Sequence, residues 1–353
     1  MSRARDIANL AGAANAGTIS GENIIINGDM SVHQRASSVT GVGASAGYNV
    51  QDRWNFYTIG SAAARWTQST STDVPASSDF TSSLKLDCTT ESGSIGADDR
   101  QQVMQVIEAQ NLQHLKYGSS DAKKLTVSFW VKSSVTGKNY CWLYHHDGTR
   151  FSYKSYTVDT ADTWEYKTIT FSGDTASAIT DDNGAGLNII WMLYAGADYT
   201  GATDGVEDTW AAWNSSNYDQ FNGQVNNASS TDNNWYLTGV KLEVGTTATP
   251  FQHEDYGTTL AKCQRYYQKF SSGGAGTATS TNQTASAQSG VTFMTEMRDS
   301  PNITFGSLGG NTANTSTVGA ISITKHGLTA IATSSASGRQ FWTVAESIAE
   351  KEL

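Results

Sequence analysis

The chain contains one pair of adjacent histidines, His145 and His146, which runs into Asp147 in the segment HHDG. Imidazoles beside a carboxylate are the usual makings of a metal site or an acid–base pair. The segment reads as a hairpin end, where successive residues point to opposite faces, so one sheet face does not collect both rings. A polar turn reversing at Asp147–Gly148 is the expectation. Paired carboxyls about 5–9 Å apart would serve glycoside cleavage, and Asp87, Glu108, Glu165 and Glu243 lie on or beside strand-like segments. Solvated charge on a strand face is the ordinary role of such acids. TDDNGAG and GATDGVED are rich in the oxygens that calcium takes, yet neither follows the helical-loop spacing, so turn chemistry is expected. No GxSxG, HExxH, P-loop or post-strand GxGxxG occurs. A non-enzymatic chain is the expectation.

The aromatics are the better lead. Trp54, Phe56, Phe129, Trp191 and Phe293 sit in strand-like patterns, where burial is their ordinary fate. Tyr199, Trp210, Trp213, Tyr218 and Phe221 lie instead in a long polar stretch from Ala195 to Asn234, interleaved with Asn, Asp, Gln and Ser. Flat rings beside amides and carboxylates suit sugars, whose C–H faces stack while their hydroxyls take fixed polar partners. Tyr199, Trp210, Trp213 and Tyr218 are therefore the candidate glycan-binding residues. The alternative is that these rings fold back and seal the segment onto the body, since large exposed aromatics are costly.

Elements that could hold such rings follow from composition. Charged residues are 16% of the 353, below the roughly 25% of ordinary domains. There are 33 Gly, 3 Pro and 10 Trp, and aromatics make up 10%. Polar, uncharged and aromatic-rich chains suit sheets with long turns. The net charge of −10 repels phosphate backbones and argues against nucleic-acid binding. The longest apolar run, IIWMLYAGA from Ile189, has the length of a buried strand, so membrane insertion is not expected. No signal peptide is evident at the start. Cys88, Cys141 and Cys263 are widely spaced and fit thiols buried as small hydrophobes in a protein made in a reducing cytoplasm.

Residues 1–22 read as a leader in which Ile7, Leu10, Ala11 and Ala14 fall at helical spacing. So short a helix needs a partner to be stable. From 23 to 250 the period-2 pattern dominates. Leu125, Val127, Phe129 and Val131 alternate with Thr126, Ser128, Trp130 and Lys132. Tyr236, Val240, Leu242 and Val244 are expected on one face, and LNIIWMLY reads as a strand buried on both. Ile24–Ile26 reads as a buried first strand turning at Asn27–Gly28. IEAQNLQHLKYG is a helical piece with Ile107, Leu112 and Leu115 on one face and Gly118 as terminator. Residues 251–270 read as a connector, and 271–353 as a small C-terminal β-sandwich or knob. The fold class is all-β: a jelly-roll sandwich followed by a small β-domain, with a short helical or extended leader.

The blocks NIIINGDMSVHQRASSVTG, YNVQDRW, QVMQVIEAQNLQHLKYGSSDAKKLTVSFWVKSSVTGKNY, ADTWEYKTITFSGD, DDNGAGLNIIWML and WYLTGVKLEVGTTATPFQHEDYGTTLAKCQRYYQKF, in this order, resemble a family of tailed-bacteriophage proteins. Its members are described as tail fibre, receptor-binding or structural proteins. RARDIANLAG resembles the start of phage tail proteins, and CQRYY, MRDSPNITF and AEKEL resemble the fibre C-terminal unit. The resemblance implies a virion component, made in the host cytoplasm, with a jelly roll like that of carbohydrate-binding modules and with first and last strands side by side. It implies a homotrimer, a leader that attaches through Arg3, Arg5, Ile7 and Leu10 to other tail proteins, and host attachment through weak multivalent glycan binding. No cofactor is expected; a structural calcium near the first strand stays open, with Glu22 and Asp29 in the region but no matching ligand set. A purely structural tail adaptor or head-decoration protein, and a polysaccharide depolymerase, are the rival readings.

Overall fold

Strand-forming alternation organises almost the whole chain. The computed structural model describes residues 21–353 apart from 77, 202–205, 215–219, 279–280, 283 and 309–313. Arg3, Arg5, Ile7, Leu10 and Tyr218 lie outside the described residues. The chain divides into two compact units, Met1–Glu254 with Leu353, and Asp255–Glu352.

The first unit contains β1 (Ser38–Val42), β2 (Gly47–Tyr48), β3 (Asn55–Ile59), β4 (Arg65–Ser71), β5 (Ser83–Thr90), β6 (Arg100–Glu108), β7 (Leu125–Ser133), β8 (Gly137–His145), β9 (Arg150–Val158), β10 (Glu165–Phe171), β11 (Ala185–Ala195), β12 (Ala211–Ala212) and β13 (Asn234–Val244). They form a six-stranded sheet, β1-β4-β5-β13-β7-β10, and a seven-stranded sheet, β12-β9-β8-β11-β6-β3-β2. Every pairing is antiparallel and the order is non-sequential. This is a jelly-roll β-sandwich.

Alternation places the core. Leu125, Val127, Phe129 and Val131 of β7 are fully buried between the sheets, packed with Trp54, Trp191 and Trp235. In β11, Ile189, Trp191 and Leu193 join that core while Ile190 and Met192 pack on the far side. The strand is therefore buried on both faces, as its unbroken apolar run implies.

Three local expectations are corrected. Tyr236 does not share a face with Val240, because β13 carries a bulge between Thr238 and Lys241 with Gly239 at φ 59°. The bulge inverts the alternation: Trp235 and Leu237 before it, and Val240, Leu242 and Val244 after it, all face the core, while Tyr236 faces out. A Cβ on Gly239 would come within 2.5 Å of the Phe80 ring.

Ile24–Ile26 is not a strand. The segment crosses from one sheet to the other, with Ile24 N–H donating to Leu242 O (2.9 Å) and Ile26 N–H to Gln105 Oε1 (2.9 Å). Asn23 lies along β13, its side chain donating to Val240 O (3.0 Å) and accepting from Leu242 N–H (3.0 Å). Gly28 O receives Val240 N–H (2.9 Å), and a Cβ there would sit 2.1 Å from Val240 O. The opening segment thus lies against β13 through two isolated backbone bonds and the Asn23 side chain rather than a ladder. The third correction concerns Ile107, which belongs to β6; the helical piece is a 3₁₀ helix, Ala109–Leu115, ended by Lys116 at φ 54°.

The second unit begins with α1 (Tyr256–Gln264), capped by Asp255, whose side chain accepts the Gly257 and Thr258 amides. It continues with β14 (Tyr267–Ala278), β15 (Thr284–Thr292), β16 (Asn302–Thr304), β17 (Thr315–Thr324), β18 (Gly327–Ser334) and β19 (Gly338–Glu350). The segment expected as a connector over 251–270 therefore supplies a helix and the start of a strand. Among the described residues this unit is one six-stranded sheet, β16-β19-β14-β15-β18-β17, in the place read as a small β-sandwich or knob. Trp342, Val344, Leu328, Ala330 and Ala332 pack on one face beneath Phe293 and Met297. Phe341 and Ile321 fall on the other face by register and remain exposed. No helix among the described residues is long and apolar enough to cross a membrane.

Candidate functional site

Described residues of the long segment after β11, Tyr199, Trp213 and Phe221 among them, close over the outer face of the seven-stranded sheet. That face presents Tyr140, Trp142, Phe151 and Tyr153, which alternation turns away from the core. Tyr199 and Phe221 are buried on it, and Trp213 is half-buried. Trp213 stacks on Trp142 at 5.2 Å and 20°. Its ring is nearly parallel to that of Tyr199, 6.5 Å away. The Arg100 guanidinium lies 4.6 Å from the Tyr199 centroid and 4.9 Å from that of Trp213. These rings are held by one another and by a buried cation, the arrangement that seals the segment.

Trp210 goes elsewhere. Its indole N–H donates to Ser172 O (2.7 Å), and its ring meets Tyr117 and His145 edge-on at 5.7 and 6.2 Å. Beneath it the buried His145 Nδ1 contacts Asp174 Oδ2 (3.1 Å), which also accepts Arg150 Nε–H (2.9 Å). Burial pushes the Asp174 carboxyl up, but the His145 bond, the Ala176 amide and the Arg150 charge outweigh it, so it ionises below its usual range. His146 contacts Asn188 Oδ1 (2.8 Å). The two imidazoles thus have separate partners. Among the described residues no three His, Cys, Asp or Glu side chains gather as a metal site would require. The three cysteines are buried, and burial pushes the Cys88 thiol up to about 11.

The four candidate carboxyls are dispersed into separate bonds. Glu165 accepts the Asp159 and Thr160 amides, and Asp87 pairs with Lys85. Glu108 and Glu243 are buried, contrary to a solvated role. Gln110 donates to Glu108. Thr249 N–H (2.8 Å) and Oγ1–H (2.7 Å) donate to Glu243, beside the buried Lys241 ammonium. Strand position was legible for these two; the cover over each of them, on different sheets, was not.

An open aromatic surface lies on the outer face of the six-stranded sheet. The register pairs Tyr166 of β10 with Trp130 of β7, and Lys132 of β7 with Tyr236 of β13. Tyr166 is 45% exposed, Trp130 and Trp164 are half-buried, and the Trp130–Tyr166 centroids are 5.3 Å apart. Trp164 precedes Tyr166 by two residues, meets Tyr236 edge-on at 5.9 Å, and donates its indole N–H to Asp73 Oδ1 (2.9 Å). Lys132 donates to the other Asp73 oxygen and lies 4.3 Å over the Tyr236 ring. On the far side of Tyr236, Lys85 pairs with Asp87 at 2.7 Å. Sequence reasoning had set Trp130 and Lys132 on the face opposite Phe129, but it did not single them out. Their neighbours come from β10, β13 and the segment before β5, joined only by register.

Two kinds of comparison find nothing: no family model and no curated protein matches the chain. Solved structures do match. The enzymatically active domain of tailspike protein 4 of bacteriophage CBA120 is 12% identical with a TM-score of 0.33, over 63% of this chain and 21% of that one. This chain therefore spans about a fifth of that domain's length. A CBM4 structure is 13% identical with a TM-score of 0.30, over 62% of this chain and 98% of that one. A family 11 carbohydrate-binding module from Clostridium thermocellum, in complex with a β-1,3-1,4-mixed-linked tetrasaccharide, is 13% identical with a TM-score of 0.27, over 57% and 91%. At identities and scores this low, function has to be read from the chain's own surface.

Proposed function

We propose that this chain is a non-enzymatic, glycan-binding component of a phage tail, acting in host attachment. The observation that carries the binding part is the aromatic surface of exposed Tyr166 and half-buried Trp130 and Trp164, with Asp73 beside it. Ring faces open to solvent and a fixed polar neighbour are what sugar recognition needs. The virion part is supported by the order of sequence blocks described above. In this reading the leader, with Arg3, Arg5, Ile7 and Leu10, docks onto other tail proteins, and copies of the chain meet through the uncovered Phe341 and Ile321 face as a homotrimer. Weak sites, around millimolar and roughly −4 kcal/mol each, become effective when several act together.

Tyr199 and Trp213 enter this reading as packing residues, since their rings serve the seal over the seven-stranded sheet. That sealed face also suits the rival reading, an adaptor or decoration protein that reads no receptor. Competition distinguishes them. The purified chain should block adsorption of the phage to its host cells, and Trp130→Ala/Tyr166→Ala should not. Placement of the chain on the capsid in a virion reconstruction would reject the tail reading. Release of oligosaccharides from host polysaccharide would reject the non-enzymatic one.

A further inference from the structure

This inference rests on the glycan reading of the same face: we infer that the face selects a glycan without net negative charge, neutral or N-acetylated, lying along β10 over at least two sugar rings. The length follows from the lattice of the sheet. Tyr166 pairs with Trp130, and Trp164, one residue ahead of β10, meets Tyr236, which pairs with Lys132 two residues along β7 from Trp130; that step is about 7 Å at the usual rise of a strand. Trp130 widens the Tyr166 end by pairing beside it. Because β10 is the edge of its sheet, a longer chain can run past it.

The charge preference follows from which half of each ion pair faces solvent. The Lys132 side chain is 11% exposed and its partner Asp73 is 44% exposed. The second pair leans the same way, with Lys85 at 28% and Asp87 at 39%. Both ammonium groups also lie over the Tyr236 ring, at 4.3 and 5.6 Å, so their charge is already engaged. Lys132 also lies 5.8 Å over the Trp164 ring, but with its side chain 11% exposed against 44% for Asp73, the polar atoms that a ligand beside Trp164 meets are chiefly the Asp73 carboxylate oxygens. Asp73 is bonded at each oxygen once, by Trp164 and by Lys132, and a carboxylate oxygen has capacity for a second donor. Sugar hydroxyls and acetamido N–H groups are such donors. A uronate or sialate carboxylate is not, and it would be desolvated beside a like charge.

The test is isothermal titration of the full chain with four probes: cellopentaose, the N-acetylglucosamine pentamer, a galacturonate pentamer and an α-2,8-sialic acid tetramer. A neutral or N-acetylated probe should bind at least tenfold more tightly than either acidic one. Trp130→Ala and Tyr166→Ala should each weaken that binding about tenfold or more, read at a temperature well below the thermal midpoint of each folded variant. Asp73→Asn, which keeps an acceptor for Trp164, should narrow the gap between neutral and acidic probes. If an acidic probe binds best and Trp130→Ala abolishes it, the charge inference falls while the glycan face stands. Undiminished binding in Trp130→Ala/Tyr166→Ala overturns the site. If the wild-type chain binds no probe, both this inference and the proposed function are overturned.

Discussion

The rings of Tyr199 and Trp213 lie nearly parallel, 8° apart in tilt and 6.5 Å between centroids, and they share the guanidinium of Arg100. One cation thereby ties Tyr199 and Trp213, both from the segment after β11, to the seven-stranded sheet from which that segment departs. Removing it leaves a cavity beside the two rings. Arg100→Ala should cost about 2–3 kcal/mol, taking ~1 kcal/mol for each desolvated ring contact and some lost packing. Urea denaturation measures this. Arg100→Lys should recover part of the loss, and glycan titration on the opposite sheet should be unaffected.

Trp210 and Trp213 answer to different neighbours, and their substitutions should separate accordingly. Trp210→Ala removes the bond to Ser172 O and the lid over Tyr117 and His145. A loss of about 3 kcal/mol is expected, at the low end for deleting a large aromatic that is only half-buried. Trp213→Ala should cost a similar amount through Trp142 and Arg100. Neither should change glycan affinity more than about twofold if the open face is the binding surface. A selective loss of binding in either variant, with stability intact, would return the site to the long segment.

Asn27 holds the opening segment where it crosses the sandwich. Its side chain donates to Val32 O (2.8 Å) and Asp52 O (3.0 Å) and accepts from Val32 N–H (2.9 Å). Its carbonyl accepts the Trp54 indole N–H (2.9 Å). At φ 58° it also occupies the left-handed region, which Asn tolerates better than most residues. Asn27→Ala should destabilise by about 2–4 kcal/mol, from two or three buried bonds at ~1 kcal/mol each plus backbone strain. A change in denaturation midpoint of less than one-tenth of that expected would refute this role.

Acid should weaken the fold in two windows. Burial, the largest influence, lowers His146, partly offset by Asn188 and Asp147; burial likewise lowers His114. The unfolded chain then takes up these protons first, so their contribution is present above the ordinary histidine value of 6.5 and fades as pH falls through the folded one. Asp174 is lowered below the ordinary 3.8, so its contribution is present above that value and is lost as pH falls further. The urea midpoint of His146→Gln relative to wild type should therefore improve as pH falls below 6.5, and that of Asp174→Asn only as pH falls below 3.8. A relative change of opposite sign in either window would contradict the assignment.

Much of the body was legible because alternation is local. Successive side chains of a strand diverge by covalent geometry, so Leu125, Val127, Phe129 and Val131 declared their common face without any partner. The unbroken run in β11 declared burial on both faces in the same way. Pattern failed where one residue altered the count. Gly239 inverts β13 and turns Tyr236 outward, and Ile24–Ile26 exchanges a ladder for bonds to both sheets.

What the residues determined alone was an all-β chain poor in catalytic groupings, with rings in excess of what its strands would bury. Only tertiary structure decided which rings stay open. Trp210 and Trp213 are near neighbours in sequence but seal different surfaces. Asp73, Trp130, Trp164 and Tyr236 are far apart in sequence and share one surface. Register between distant strands makes that surface, and register depends on long-range pairing that no short window of sequence contains.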